Sequence, residues 1–459
     1  MKKVLSALVA ATLSITVISP ASATVAVTGL KKLTIATVTG VSTRSPQVID
    51  LGKGRTLVSW LEENNSDLLA LKTKVVSSTN KLGKVTAINA KLAHSNDNLS
   101  ALPKLVSNGK GKLFAAWVQR STKGSTVADQ IYGRTSTNGS TWSKTFPISK
   151  PVLVDKGFCI DSDMDGCGIN SLQISIDGAG RTGVLISTIL EEGIFDYKAS
   201  VTSKTSMWPA MKQLGTVINH GRNEIVGLST GFAVSWTDYI GGESCSTKAA
   251  YFDPKSRKWG TTLTAQAINK NTVVYSKWVQ RDSKTLTLVM GSENEEGGIS
   301  VRNFSLTTKK FSGSTRVIAP TETAVVFQNI AAASKGKAMV IGYTTYNQNS
   351  GATQARMILQ RSTTGTYSSK IVENGVDQID PVATGFSKAG TGFFVYNETG
   401  KPTNLTMAKG SYTPLDLPGK TSIAYTEDVS ISSTDMLSAV SITNVDGKST
   451  ITLVKGKLR

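Results

Sequence analysis

The chain is poor in the residues from which most catalytic and metal centres are built. Its 459 residues include only three cysteines and two histidines. So few imidazoles and thiolates leave a transition-metal site short of its usual donors. A hydrolytic triad built on His94 or His220 would need a serine and an acid brought close to it. Acids are scarce too: 32 Asp and Glu stand against 51 Lys and Arg, a formal net charge of +19. That balance suits anionic surroundings such as cell-wall polymers or acidic glycans. It does not point to a specific nucleic-acid partner, because the cations are scattered lysines with no basic helix and no basic run interleaved with aromatics. Long apolar runs are also missing, save one at the start. Lys2 and Lys3, an apolar stretch over residues 4–18 and the small triplet Ala21-Ser22-Ala23 read as a signal peptide over residues 1–23. About 15 apolar residues fall short of a comfortable membrane span. The expected protein is therefore extracellular, associated with the cell wall if it is retained, monomeric and without a membrane span.

What the chain does have is repetition. Residues 102–148 contain four short apolar runs separated by Gly, Ser, Asn and Lys, which is the pattern of an antiparallel meander. Its second run, Leu113-Phe-Ala-Ala-Trp117, recurs as Thr56–Trp60, Gly183–Ser187, Phe232–Trp236, Thr287–Gly291, Ala338–Gly342, Gly392–Tyr396 and Leu437–Ser441. An aromatic follows the third run in most copies: Trp142, Trp208, Trp259, Phe311, Tyr367 and Tyr412. The spacing falls in the range of propeller blades. The expected fold is all-β, a single propeller over residues 24–459, with eight four-stranded blades or, as the alternative, seven. The last copy is one strand short, and residues 32–39 form a spare strand at the start. Pairing the two would close the ring and remove its open edges.

One copy carries an insertion at about residues 151–168. Asp161-Ser162-Asp163-Met164-Asp165-Gly166 has oxygen donors at alternate positions and Gly at the sixth, as a calcium loop requires, but Leu172 stands where the bidentate acid belongs. Asp161, Asp163 and Asp165 are the expected Ca2+ ligands. Cys159 and Cys167 bracket the loop, and a disulfide between them is the other way to hold it; Cys245 is then the leftover thiol, or replaces one of them.

The turn Thr135-Ser136-Thr137-Asn138-Gly139-Ser140-Thr141-Trp142 resembles an Asp-box, the S-x-D-x-G-x-T-W signature of sialidase-like propellers, with Thr at the Ser and Asp positions. In that family the box is a folding device at the outer turn of a blade. Arg44-Ser45-Pro46 is similar to the R-I-P segment that opens sialidases. The resemblance would make Arg44 one of three arginines gripping a substrate carboxylate; no motif supplies the other two, the nucleophile pair or the acid.

Strand parity sorts the loops without any family knowledge. Loops joining strands two and three share one face of a propeller with the blade-to-blade loops, and the remaining loops share the other. Most acids fall on the first face, the mouth, among them Glu62, Glu63, Glu191, Glu192, Asp238 and Glu398, with Tyr239 beside them. Lys53, Lys110, Lys112, Arg181, Lys335 and Lys337 fall on the underside. Carboxylates and tyrosines at a mouth suit a sugar, since carboxylates accept from hydroxyls and rings stack on sugar faces. Arg44 and these mouth residues are the expected ligand-binding set. The expected function is binding of a glycan or another anionic envelope polymer without catalysis. An exo-acting glycoside hydrolase and an extracellular protein-interaction scaffold are the alternatives, because one fold hosts many functions.

Overall fold

A computed structural model of the chain describes residues 27–64, 68–89, 93–94, 101–154, 168–191, 194–203, 208–218, 223–229, 231–240, 244–268, 274–292, 298–319, 325–347, 349–363, 365–375, 379–398, 404–407, 426–432 and 434–458. Among them strands dominate and no α-helix occurs. All eight of the recurring second runs lie within strands. Their burial explains why they stand out in the sequence. Leu113 to Val118 are all at most 4% exposed, as are Phe232, Ala233, Val234 and Trp236. These strands do not alternate between core and solvent; both of their faces are covered by neighbouring sheets, so near-continuous apolar runs are what survives.

The protein is an all-β propeller. Its units begin with the inner strands Ser42–Gly52, Lys104–Ser107, Ile169–Ile176, Asn223–Leu228, Val274–Gln280, Val325–Lys335, Ile379–Phe386 and Thr426–Ile431. Each packs against the next, and the last packs against the first. There is no single central core. Instead, apolar clusters fill the spaces between successive sheets, as where Leu57 and Leu71 meet Leu105 and Trp117, or Phe114 and Ile131 meet Ile174 and Val184.

Hydrogen bonding divides the described strands into seven sheets, which is the alternative count rather than the favoured eight. The difference has a local cause. The meanders that begin at Ile169 and Asn223 are joined by one pair, Ile218 with Tyr239, into a nine-stranded sheet. The spare strand is longer than expected. Val27–Thr39 pairs antiparallel with Lys448–Leu458, from Val27 with Leu458 to Thr39 with Lys448, with two register shifts on the way.

The Asp-box-like turn is held without an aspartate. Ser136 Oγ donates to the Thr141 carbonyl at 2.6 Å and accepts the Gly139 N–H at 2.9 Å. Asn138 Oδ1 accepts from the amides of Ser140 and Thr141 at 2.9 and 2.8 Å. Neighbours of Thr135 and Thr137 thus supply the acceptors the box usually takes from its own positions. Gly139 turns with φ +76° and sits against Leu57 and Val75 of the preceding unit, where a side chain would not fit. Trp142 belongs to this turn, donating from Nε1 to the Gly139 carbonyl at 3.1 Å, rather than opening a fourth strand.

Candidate functional site

Arg44, Glu62, Glu63 and Asp238 lie toward strand ends, and the acids among them do not form a bare ring of carboxylate. Arg44 lies in the inner strand Ser42–Gly52, beside a bulge where Ser45 takes φ +51°. Its Nη2 is 3.1 Å from Glu63 Oε1, at the end of the neighbouring strand Arg55–Glu63. Glu62 accepts from Trp60 Nε1 at 2.8 Å and lies 3.5 Å from Lys72. Asp238 is 3.6 Å from Lys248, and Asp196 is 2.9 Å from Lys198. Asp129, 1% exposed, takes a two-point grip from Arg120 at 2.8 and 3.0 Å and also accepts the Ile169 amide. These acids are thus neutralised by nearby cations: Arg120 directly across from Asp129, Arg44, Lys72 and Lys248 diagonally across from Glu63, Glu62 and Asp238, and Lys198 two residues along the strand from Asp196. For half-exposed pairs this adds under about 1 kcal/mol each. Its larger effect is on orientation, since a paired carboxylate has fewer places to point.

Glu398 is 2% exposed, within the strand Gly392–Glu398, so it belongs to the interior rather than the mouth surface. Glu191 ends the strand Thr182–Glu191, and Tyr239 is the last residue but one of the strand Gly231–Ile240. Glu192, Asp161, Asp163, Asp165, Cys159 and Cys167 lie outside the described residues, as does the signal segment. Among the described residues no group of three or more His, Cys, Asp or Glu stands ready for a metal ion. Cys245 is in the core, 1% exposed.

A cleft lies on the mouth side of the seam where the chain's two ends meet. It encloses about 450 Å³ and is lined by Gly40, Val41, Ser42, Thr43, Glu63, Asn64, Asn444, Gly447, Lys448 and Ser449. Its side chains are hydroxyls, amides, one carboxylate, one ammonium and the apolar Val41. Thr43 Oγ1 is buried without a hydrogen-bond partner in the protein, and Arg44 fixes the Glu63 carboxylate at the edge. The sorting by charge found Glu63 but passed over Ser42, Thr43, Asn64 and Asn444, because it counted only charges and tyrosines. The position of these residues, just before and after inter-strand turns, was the available signal.

The underside differs from the expected display of free positive charge. Lys110 and Lys112 reach the carbonyls of Gly178 and Gly180 in the next unit. Lys335 donates to Ser387 and Lys388 at 2.7 and 2.6 Å, and Lys455 crosses the seam to Gly54 at 2.8 Å. Arg281, 2% exposed, donates to the Lys337 carbonyl and to Gln360 Oε1. Burial pushes the Lys112 ammonium down while Asp177 pushes it back up, and burial and Asp50 do the same at Lys455. Several underside cations are thus ties between blades. Their donors are spent on carbonyls that face the next turn, which leaves less of this face to grip a polyanion.

No known family profile matches the chain, and no curated protein matches it in sequence. Solved structures resemble it distantly. The β-propeller domain of the trilobed protease from Pyrococcus furiosus is 10% identical at a TM-score of 0.40, over 82% of this chain and 97% of that one. The α-L-arabinofuranosidase Arb93A from Fusarium graminearum gives 10% and 0.40 over 62% and 92%. The NanB sialidase from Streptococcus pneumoniae gives 12% and 0.37 over 80% and 67%. Likeness at this level assigns neither substrate nor activity to this chain. No described helix is long and apolar enough to cross a membrane.

Proposed function

We infer that this is an exported, monomeric propeller that binds a neutral or mixed-charge glycan of the cell envelope in the cleft at its seam, without cleaving it. The cleft carries the reading. Hydroxyls and amides that both donate and accept suit the repeated hydroxyls of a sugar, and a carboxylate held in place by Arg44 can take two of them at once. Export rests on the charged, apolar and small-residue pattern of residues 1–23. The nine-stranded sheet is read here as two blades, giving an eightfold ring tied by its terminal strands; eight inner strands in succession support it. The acidic insertion would take Ca2+ through Asp161, Asp163 and Asp165, or be closed by a Cys159–Cys167 disulfide.

A glycan array followed by calorimetry on the mature protein tests the reading, with and without calcium. Glu63→Gln keeps the shape and loses the charged acceptor. It is expected to weaken the best ligand about tenfold or more, the worth of a hydrogen bond to a charged group. Binding that ignores this change would move the site elsewhere. The glycoside-hydrolase alternative needs two carboxylates roughly 5 to 10 Å apart, and the described lining of the cleft offers one. Release of sugar from an array ligand, abolished by Glu63→Gln, would replace binding by hydrolysis.

A further inference from the structure

An apolar layer separates the last sheet from the first, and it changes character at the mouth. Val440, Ile442, Ile451 and Leu453 of the last sheet pack there with Val48, Val58 and Trp60 of the first. Every second side chain of a strand shares a face, as do register partners. In the strands Met436–Val445 and Lys448–Leu458, Val440 pairs with Leu453 and Ile442 with Ile451, and the next pair on that face, toward the mouth, is Asn444 with Ser449. On the opposing sheet Trp60 is followed on its face by Glu62, whose register partner is Thr43. Glu62 is engaged by Trp60 and Lys72. The layer therefore ends in Thr43 on one side and in Asn444 and Ser449 on the other, and all three line the seam cleft. Thr43 and Ser449 are each 5% exposed. Thr43 Oγ1 is buried without a hydrogen-bond partner, and neither Asn444 nor Ser449 makes a side-chain hydrogen bond to a described residue. Across the rim the Gly40 amide donates to the Gly447 carbonyl at 3.3 Å. Nothing lies within 4 Å of where a side chain would stand at either glycine, so the rim has room to shift as a ligand enters.

A buried hydroxyl left unpaired costs stability, and an apolar side chain of the same shape would avoid that cost. We propose that Thr43, Ser449 and Asn444 are the specificity residues of the seam cleft, and that they select an uncharged sugar by gripping two adjacent ring hydroxyls. The inference rests on the reading of the cleft as a glycan site and names what that site demands. Ser and Thr hydroxyls and the Asn amide each donate and accept without charge. Neighbouring ring hydroxyls do the same, so each partner finds its complement. A carboxylate or phosphate only accepts, and would leave the acceptors of the trio unmatched. Lys448 stands exposed at the rim, where its charge stays in water. A site of this kind turns away an analogue that lacks the matching hydroxyl, because its own buried groups are then left unpaired.

Calorimetry on the mature protein with hexasaccharides of glucose, mannose and xylose, with chitohexaose and with hexagalacturonate tests the assignment. Saturable binding of at least one of the three neutral hydroxyl-bearing chains is expected. Chitohexaose, in which an acetamide replaces one hydroxyl of each adjacent pair, is expected to bind about tenfold more weakly or worse. Thr43→Val keeps the shape and is expected to weaken the neutral chain about tenfold or more, and Ser449→Ala to act in the same direction. Thr43→Ser, which restores the hydroxyl, should return the affinity to within about threefold of the parent. Without sugar, Thr43→Val is expected to melt no lower than the parent, since the hydroxyl it removes has no partner. A lower melt would mean that the hydroxyl is bonded within the protein, and would overturn the inference. So would binding confined to hexagalacturonate, which would put the charge of Lys448 in control. If Glu63→Gln weakens binding while Thr43→Val and Ser449→Ala do not, the inference falls and the glycan reading of the cleft stands. If the parent binds none of the five, both fall.

Discussion

Asp428 shows how one carboxylate couples the seam to pH. It lies in the inner strand Thr426–Ile431, and its Oδ2 accepts the Val48 amide of the first unit at 2.8 Å while Oδ1 accepts the Val429 amide at 2.9 Å. Burial raises its pKa to about 6, although the two amides pull the other way. The folded state therefore holds this proton more tightly than the unfolded chain does. The stability it contributes is complete below about pH 4 and is lost as pH rises through about 6. The gap from an ordinary carboxylate corresponds to about 3 kcal/mol at most. Asp428→Asn removes the titration and sacrifices one of the two amide bonds. The difference in stability, parent minus variant, is expected to fall between about pH 4 and 7 by as much as that ceiling. Urea titrations of both proteins at several pH values measure it, and a difference independent of pH would rule out Asp428 as the titrating group.

The second strand of each unit is where packing between blades is decided, because both of its faces are covered. Gly342, in the strand Ala338–Asn347, shows how tight the fit is: a Cβ there would stand 2.2 Å from Cδ2 of Phe394, which the next unit sends across from Gly392–Glu398. The position aligned with Gly342 holds Trp60, Trp117 and Trp236 in other units. The size of the residue at this position thus differs from blade to blade. Gly342→Ala is expected to cost about 1–3 kcal/mol, as overpacking does, and a paired Phe394→Leu should recover part of it; calorimetric melts of the single and double variants measure both. The same burial explains what could be read from the sequence. Second strands declared themselves because two covered faces demand apolar runs. The fourth strand of the 102–148 unit did not: of the run that closes that stretch only Phe146–Pro147 pairs, with Val152–Val154 paired further along the same strand. The charge pattern of the mouth was legible, but its neutralisation was not. Whether Glu63 meets Arg44, or Asp238 meets Lys248, depends on a register that a shift of one residue would undo.

At the scale of the whole molecule, the strand Val27–Thr39 is the outermost element of its sheet and the partner of Lys448–Leu458 along almost its entire length. It does more than cover an edge. Ile35, 1% exposed, packs with Val48, Trp60, Ile451 and Leu453, residues from both sides of the seam, and its carbonyl accepts from Lys74 Nζ at 2.6 Å. Removing residues 1–39 would strip that cluster of Ile35, worth about 2 kcal/mol in burial alone. It would also leave Lys448–Leu458 with a row of unpaired amides and carbonyls. An open edge of that length seeks another strand. The truncated chain is therefore expected to unfold at lower urea and to associate more than the mature protein, as seen by light scattering after size exclusion. A peptide of residues 27–39 added in trans should reverse both effects by refilling the edge. Unchanged melting and unchanged association in the truncated chain would mean that the ring is held by the lateral ties alone: Lys455 on Gly54, Asp428 on Val48, and the hydroxyl pair of Thr56 and Ser438 at 3.4 Å. Lys455→Met in the mature protein then separates the two contributions, since it removes the seam's underside tie while leaving the strand pairing intact.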